Sequence, residues 1–373
     1  MSEPMGLTCE VAIAGGGPVA LCLAVVLAER GVNVQVFERA PQLDRDLRAS
    51  TFHPPTLDML DMLGLGAQVV AGGLVCPDWQ VRMHPSGERA VFDLSVLAAD
   101  TAHPYRLQYE QWRLSELLLT RQSELPAATL HFGHEVTGVA QDDEGVTLTL
   151  EGPAGPEQVR AALAVGADGA RSAVRGALGL PFDGLTYPET TLLATTTFPF
   201  ENHLDGLSNV SYCWKDDGNF ALLKVPGRWR VSIYPRDDRP LEEQTTPEGI
   251  DAALREIVPR EQAYDIGETR PYRVHQRIVP TYVSGRVALA GDAAHVNAPS
   301  GGMGMNGGVH DAFELAEALT DILRRGAGLD RLALYDRRRR PVAREQILAP
   351  VMEAIRLTRQ GLLMHNPASE IEP

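Results

Sequence analysis

Cysteine is scarce. Only Cys9, Cys22, Cys76 and Cys213 occur in 373 residues. No two form a C-x-x-C pair or a zinc-like spacing, which argues against a disulfide framework and fits a reducing compartment. Basic charge is also short, with 34 Lys and Arg against 49 Asp and Glu, a formal charge of −15. That balance disfavours nucleic acid and anionic membrane as main partners. No apolar run reaches spanning length: the stretch Val11 to Leu27 is broken by three glycines and a proline. The opening MSEPMGLTCE has two acids and no base, so it does not read as a signal peptide. A cytoplasmic protein without a membrane span is expected. There is no internal repeat, and no low-complexity stretch beyond Arg337–Arg340. With 44% hydrophobic and 22% charged residues, the composition is that of a globular chain with ample core.

What is present starts with a strand, a glycine turn, a helix and a second strand. Residues 9–14 are short, apolar and β-compatible. Gly15-Gly16-Gly17-Pro18 follows, then a helix over 19–30 ending at Gly31, then an alternating strand over 32–37 that ends at Glu38. This is the crossover unit of a parallel α/β sheet. Helices are predicted over 56–65, 110–122, 248–258, 309–325 and 344–364. A hairpin is predicted around Asp142-Asp143-Glu144-Gly145, and buried strands over 161–167 and 286–290. Residues 190–235 are β-rich and imply a separate antiparallel sheet.

Three segments carry chemistry. In Gly15-x-Gly17-x-x-Ala20 the first glycine permits a tight turn and the second lets the backbone approach a pyrophosphate. The third small residue allows close helix packing. The phosphate would sit on the helix N-terminus. Glu38 stands where a carboxylate can accept a ribose diol, and Pro18 and Arg39 flank these two points. In this context the pattern predicts a dinucleotide site. The second segment is Val165-Gly166-Ala167-Asp168-Gly169-Ala170-Arg171. The third runs from Gly291-Asp292-Ala293-Ala294-His295 through Pro299 and Gly301-Gly302 to Gly304-Met305-Asn306 and Gly308.

In this order the three segments resemble the flavoprotein aromatic hydroxylases, the group A monooxygenases typified by para-hydroxybenzoate hydroxylase. The resemblance covers about residues 10 to 345. It implies an α/β protein: a Rossmann-like FAD-binding domain with an inserted antiparallel-sheet substrate domain and C-terminal helices. The FAD domain would comprise residues 1–74, 106–184 and 286–373, the substrate domain 75–105 and 185–285. The resemblance implies FAD as cofactor and NADH or NADPH as co-substrate. It implies hydroxylation of a small aromatic or heteroaromatic substrate with O2 through a flavin C4a-hydroperoxide. Epoxidation, Baeyer–Villiger oxidation or a flavin-dependent reduction are the alternatives on the same fold.

By the same resemblance Gly15, Gly17, Ala20 and Glu38 would hold the ADP half of FAD. Asp168 and Gly169 would serve the pyrophosphate region and the passing nicotinamide. Asp292 would bond the ribityl chain. Gly302, Gly304, Met305 and Asn306 would open a helix facing the flavin N1–C2=O edge, and Arg48 and Gln111 would lie near the phosphates and ribityl. Pro299 would lie beside the isoalloxazine. The family's Trp-Lys pair is replaced by Glu314-Leu315-Ala316-Glu317, and no Trp-x-Trp motif of the halogenases occurs.

Several residues have two readings. His53 faces flavin or substrate, or is a loop histidine. Tyr212, Trp214 and Phe220 line an aromatic pocket or belong to core. His295 reads best as a hydrogen-bonded structural histidine. His275 lies on a surface strand or a pocket edge. Arg337–Arg340 reads as a solvated helix face. Substrate identity, the choice of nicotinamide, any substrate-deprotonating base and oligomeric state are not encoded in these patterns.

Overall fold

The computed structural model describes residues 8–348, with Asp217, Asp237 and Ala298 excepted. They fall into two compact units, one of residues 8–49, 111–185 and 275–348 and the other of residues 50–110 and 186–274. The divisions expected at 74/75, 105/106 and 285/286 differ from these. Residues 50–110 stay together because the strands Thr51–Phe52, Leu74–Cys76 and Arg106–Gln108 form one three-stranded sheet.

The first unit is built on a sheet whose strand order is Val283–Ser284, Val287–Leu289, Gly155–Gly166, Cys9–Ala14, Val34–Glu38 and Ala128–Phe132. From Val287–Leu289 onward the pairs are parallel. The strand Cys9–Ala14 is almost wholly buried, as a central parallel strand covered on both faces must be. The strand Gly155–Gly166 is longer than predicted because its first half also pairs antiparallel with Val146–Gly152, one arm of the predicted hairpin.

The helix Pro18–Glu29 has Pro in its first turn and ten buried residues. Apolar on every side, it needs cover on every side. Part of that cover is the helix Met303–Arg325. Close approach depends on glycine: a Cβ at Gly308 would lie 2.6 Å from Val19 Cγ2. The helical pattern alone predicts a start at 309. The helix begins six residues earlier because packing on Val19 selects the glycines that propensity penalises. It ends with Arg324 and Arg325 in its last turn and Gly326 at φ 70°. The helix Asp330–Pro341 and a wide turn Val342–Leu348 follow. Most of the helix predicted over 344–364 lies outside the described residues.

The second unit holds a sheet in the order Ile266–Ile278, Asp183–Thr196, Arg228–Ile233, Gly218–Val225, Val210–Lys215, Asp78–Met83 and Arg89–Asp93. It departs from the antiparallel expectation at one pair, since Val210–Lys215 and Asp78–Met83 run parallel. Alternation sets its two faces. Cys213, Phe220, Leu222, Trp229, Val231 and Ile233 pack with Ile250, Leu254 and Ile257 of the helix Pro247–Ile257. Each such side chain contributes about 1.5–3 kcal/mol on full burial. Thr246 caps that helix, its hydroxyl accepting from Gly249 N at 3.0 Å. The other face carries Tyr212, Ala221, Ser232 and Leu193 in one cross-strand row. Among the described residues no helix is long and apolar enough to cross a membrane.

Candidate functional site

At the C-terminal ends of the parallel strands lies a cavity of about 230 Å³. Gly15, Gly17 and Pro18 line it from the first turn, and Glu38 and Arg39 from the end of the second strand. Arg48, Gln111, Asp168 and Gly169 also line its walls, whereas Asp292, Gly302, Gly304, Met305 and Asn306 of the predicted set are not in its lining. Ala20 stands apart from the lining, fully buried one turn into the helix. Gly15 has φ 99°, and a Cβ there would fall 2.4 Å from the Ala167 carbonyl oxygen. Only glycine meets both demands. Glu38 braces the same turn: Oε2 accepts from Gly16 N at 2.6 Å and Oε1 from Ala40 N at 2.8 Å. A carboxylate offers about four acceptor positions, so two stay open to a ligand. The helix cap residue Gly17 supplies no side-chain acceptor, which leaves N–H groups of the first turn directed at the cavity.

Asp168 Oδ2 accepts from Ala173 N at 2.7 Å and Val174 N at 3.2 Å. Its Oδ1 is buried with no partner among the described residues. An orphaned acceptor in a cavity wall calls for a donor from a ligand or water. Arg48 makes ion pairs with Asp44 and Asp46 at 3.4 and 3.6 Å, half exposed.

Asp292 sits in the turn Gly291–Ala293. It is accessible to solvent, yet surrounded closely enough that burial raises its carboxyl above the ordinary value, with His295 and Arg48 pulling the other way. Pro299 precedes a turn in which Gly301 and Gly302 take φ 82° and 69°. Those left-handed glycines aim the helix Met303–Arg325, whose first turn includes Gly304, Met305 and Asn306. Asn306 is fully buried, and its Nδ2 donates to Gly302 O at 2.6 Å. The helix start is thereby tied to the loop before it.

Beneath this loop lies a polar cluster that the sequence patterns did not single out. Asp311 Oδ2 is 2.7 Å from His295 Nε2 and accepts from Gly291 N at 3.1 Å. Asp311 Oδ1 accepts from Arg339 Nε at 2.7 Å. Burial alone would raise Asp311, but His295 and Arg339 hold it below its ordinary value. His295 is the structural histidine expected. Arg339 departs from the solvated face expected for the basic run, because it continues the buried Leu332 and Tyr335 at i, i+3, i+7 spacing and so turns inward onto Asp311, while Arg338 and Arg340 pair with Glu314 and Asp336.

The second unit holds His53 and Tyr212. His53 precedes the helix Pro54–Met62, and its carbonyl accepts from Thr56 N and Leu57 N. Tyr212 lies on the sheet face opposite the core, and Phe220 is core. Burial raises the Tyr234 hydroxyl well above its ordinary value, and Tyr272 and Tyr212 lie near enough to raise it further. Arg230 is buried on the same face and pushed down to about 10 by desolvation. Trp79, Arg106, Tyr234 and Tyr272 were missed because each is a single residue in a separate segment, Trp79, Arg106 and Tyr272 on strands and Tyr234 just after the strand Arg228–Ile233. His275 lies exposed on its strand.

The glycine cradle, the orphaned Asp168 oxygen and the cations on the cavity wall fit the pyrophosphate and ribose of FAD. The comparisons agree. The FAD binding domain family matches residues 8–348. Para-nitrophenol 4-monooxygenase of Pseudomonas sp. (strain WBC-3) is 38% identical, covering 89% of this chain and 83% of its own. The 6-hydroxy-3-succinoylpyridine 3-monooxygenase of Pseudomonas putida is 33% identical, with 90% and 86% covered. The crystal structure of p-nitrophenol 4-monooxygenase from Pseudomonas putida DLL-E4 superposes with a TM-score of 0.87 at 35% identity, covering 95% of this chain and 89% of that one. The chain belongs to the FAD binding domain family and, within it, to the flavin-dependent aromatic monooxygenases.

Proposed function

We propose that this protein hydroxylates a single-ring phenol or a related heteroaromatic, consuming NAD(P)H and O2. The observation that carries the reading is the joint presence, in one unit, of the Gly15–Glu38 cavity with its open Asp168 acceptor and the Asp292 turn leading into a bare helix N-terminus. FAD, when bound and reduced, supplies the oxygen-activating chemistry.

The residues of this chain do the rest. Gly15, Gly17 and Pro18 bring backbone N–H groups against the pyrophosphate. Glu38 takes the ribose diol, and Arg39 and Arg48 offset phosphate charge. Gln111, Asp168, Gly169 and Asp292 hold the chain between the phosphates and the ring. Gly302 sets the direction of the helix whose first residues, through Gly304, Met305 and Asn306, favour negative charge on the ring edge. Pro299 packs beside the ring. The aromatic sheet face around Tyr212 holds the substrate ring and displaces water from it, and His53 lines the approach to it. Two relatives act, by their names, on a nitrophenol and on a hydroxypyridine. Both are monooxygenases, which favours oxygen insertion over the reductase reading. Four free, buried cysteines suit a cytoplasmic location.

The test follows NADH and NADPH oxidation together with oxygen uptake by the FAD-loaded protein, across phenols, aromatic acids and heteroaromatic acids. Stimulation by single-ring compounds, with matched oxygen use and little peroxide, is expected. Stimulation confined to polycyclic compounds contradicts the proposed substrate class.

A further inference from the structure

Arg106 lies in the middle strand of the three-stranded sheet of the second unit, paired with Cys76. Its guanidinium carbon stands 4.6 Å from the centroid of the Trp79 ring. Trp79 is stacked on Phe92 at 4.1 Å and meets Tyr212 edge-on at 6.0 Å. The Tyr212 hydroxyl lies near enough to favour the charged form of the guanidinium. Nη1 is buried with no partner among the described residues.

Among the described residues no carboxylate acts on this cation. The groups that act on it are burial, Tyr212 and Cys76. Cys76 is not a counter-anion, because burial pushes its thiol up to about 12. Elsewhere in the unit the arrangement differs: Arg228 pairs with Glu110 at 2.6 Å and Glu268 at 3.2 Å, and Arg255 with Asp251 at 2.6 Å. A half-buried cation with no anion is costly unless an incoming anion completes it. The surroundings fix what that anion is attached to. Both faces of Trp79 are covered, by Phe92 and by the guanidinium, so the aromatic surface next to the cation is that of Tyr212, with Tyr234 and Tyr272 near it, and a planar guanidinium grips an oxyanion through charge-assisted hydrogen bonds.

We infer that Arg106 is the specificity-determining residue for an anionic oxygen, a phenolate or a ring carboxylate, on an aromatic substrate, with Tyr212 as its positioning residue. The inference rests on the hydroxylase reading above and names the charge state that the enzyme selects. Arg106 selects by leaving a neutral ring with the aromatic surfaces alone, while an anionic ring gains the cation as well. Lysine in its place keeps the charge and loses the planar grip.

Equilibrium binding to the FAD-loaded protein without nicotinamide tests this, since no turnover occurs. The probes are p-nitrophenol, whose colour reports its ionisation, benzoate, and neutral 4-nitroanisole. Wild type should bind p-nitrophenolate and benzoate in preference to 4-nitroanisole. Arg106→Gln should lose roughly 10- to 100-fold for the anions with much less change for 4-nitroanisole. Arg106→Lys should keep part of the preference. A larger loss for p-nitrophenolate than for benzoate assigns the phenolate as the natural group, and the reverse assigns the carboxylate. Retained flavin and an unchanged circular dichroism spectrum establish folding, and if Arg106→Gln fails that check, the anion-to-neutral ratio of Arg106→Lys decides. Equal loss for charged and neutral probes overturns the inference. So does a wild type that binds charged and neutral rings alike, which leaves the hydroxylase reading standing. A wild type that binds no single-ring aromatic overturns both.

Discussion

Asp311 and Arg339 are joined at 2.7 Å between a carboxylate of zero exposure and a guanidinium 12% exposed. His295 meets the other carboxylate oxygen at the same distance. Three elements are pinned at one point: the Gly291–Ala293 turn, the helix Met303–Arg325 and the helix Asp330–Pro341. Breaking such a pair leaves a buried charge without its partner. Asp311→Asn and Arg339→Met should each destabilise by about 3–5 kcal/mol. Urea unfolding of each single variant and of the double variant checks this, and the double should cost well under the sum, because the charge each single strands is removed.

His310 makes the fold acid-sensitive. Burial, and then Arg339, hold its imidazole down from 6.5 to about 4. The unfolded chain takes up this proton near its ordinary value and the folded chain resists it. The contribution is complete above about pH 6.5 and is lost as pH falls toward about 4. The amount is on the order of 3 kcal/mol. Asp311, held low, adds a loss that begins only below the ordinary carboxylate value. His310→Gln should flatten the first limb and leave the second, as read from denaturant midpoints against pH.

Gly15→Ala meets both a left-handed backbone and a carbonyl oxygen 2.4 Å away. Gly169→Ala meets φ 81° with open space around it. The first should purify without flavin. The second should keep flavin with weakened affinity, since backbone strain alone costs about 1 kcal/mol. Flavin-to-protein absorbance ratios separate the two.

Glu38→Ala removes the acceptor of both Gly16 N and Ala40 N. FAD affinity should fall roughly tenfold or more, with a smaller fall for Glu38→Gln, which keeps one acceptor oxygen. Titration of apoprotein with FAD, followed by flavin fluorescence, measures both.

The cofactor side of this protein was legible because its signals are local. Gly15, Gly17 and Glu38 stand within one crossover unit, and strand, turn and helix each announce themselves. Asp292 and the Gly301–Gly308 stretch are equally compact. The early start of the helix at Met303 was not legible, since its glycines serve a contact with Val19 far away in sequence. Asp311, Arg339 and the inward turn of the basic run escaped for the same reason. The aromatic face was only half readable. Tyr212 could be named, but Trp79 reaches it through the pairing of Asp78–Met83 with Val210–Lys215, and Arg106 reaches Trp79 from the separate three-stranded sheet, contacts that no local pattern encodes.

As an aromatic monooxygenase, this flavoprotein places one atom of O2 on the ring of its substrate. Turnover of the most stimulating phenol under dioxygen labelled with oxygen-18, with NAD(P)H consumption followed in parallel, tests it most directly. One heavy oxygen is expected in each product molecule for each NAD(P)H consumed. A product without label, or hydrogen peroxide formed in step with NAD(P)H while the phenol is recovered unchanged, would contradict it.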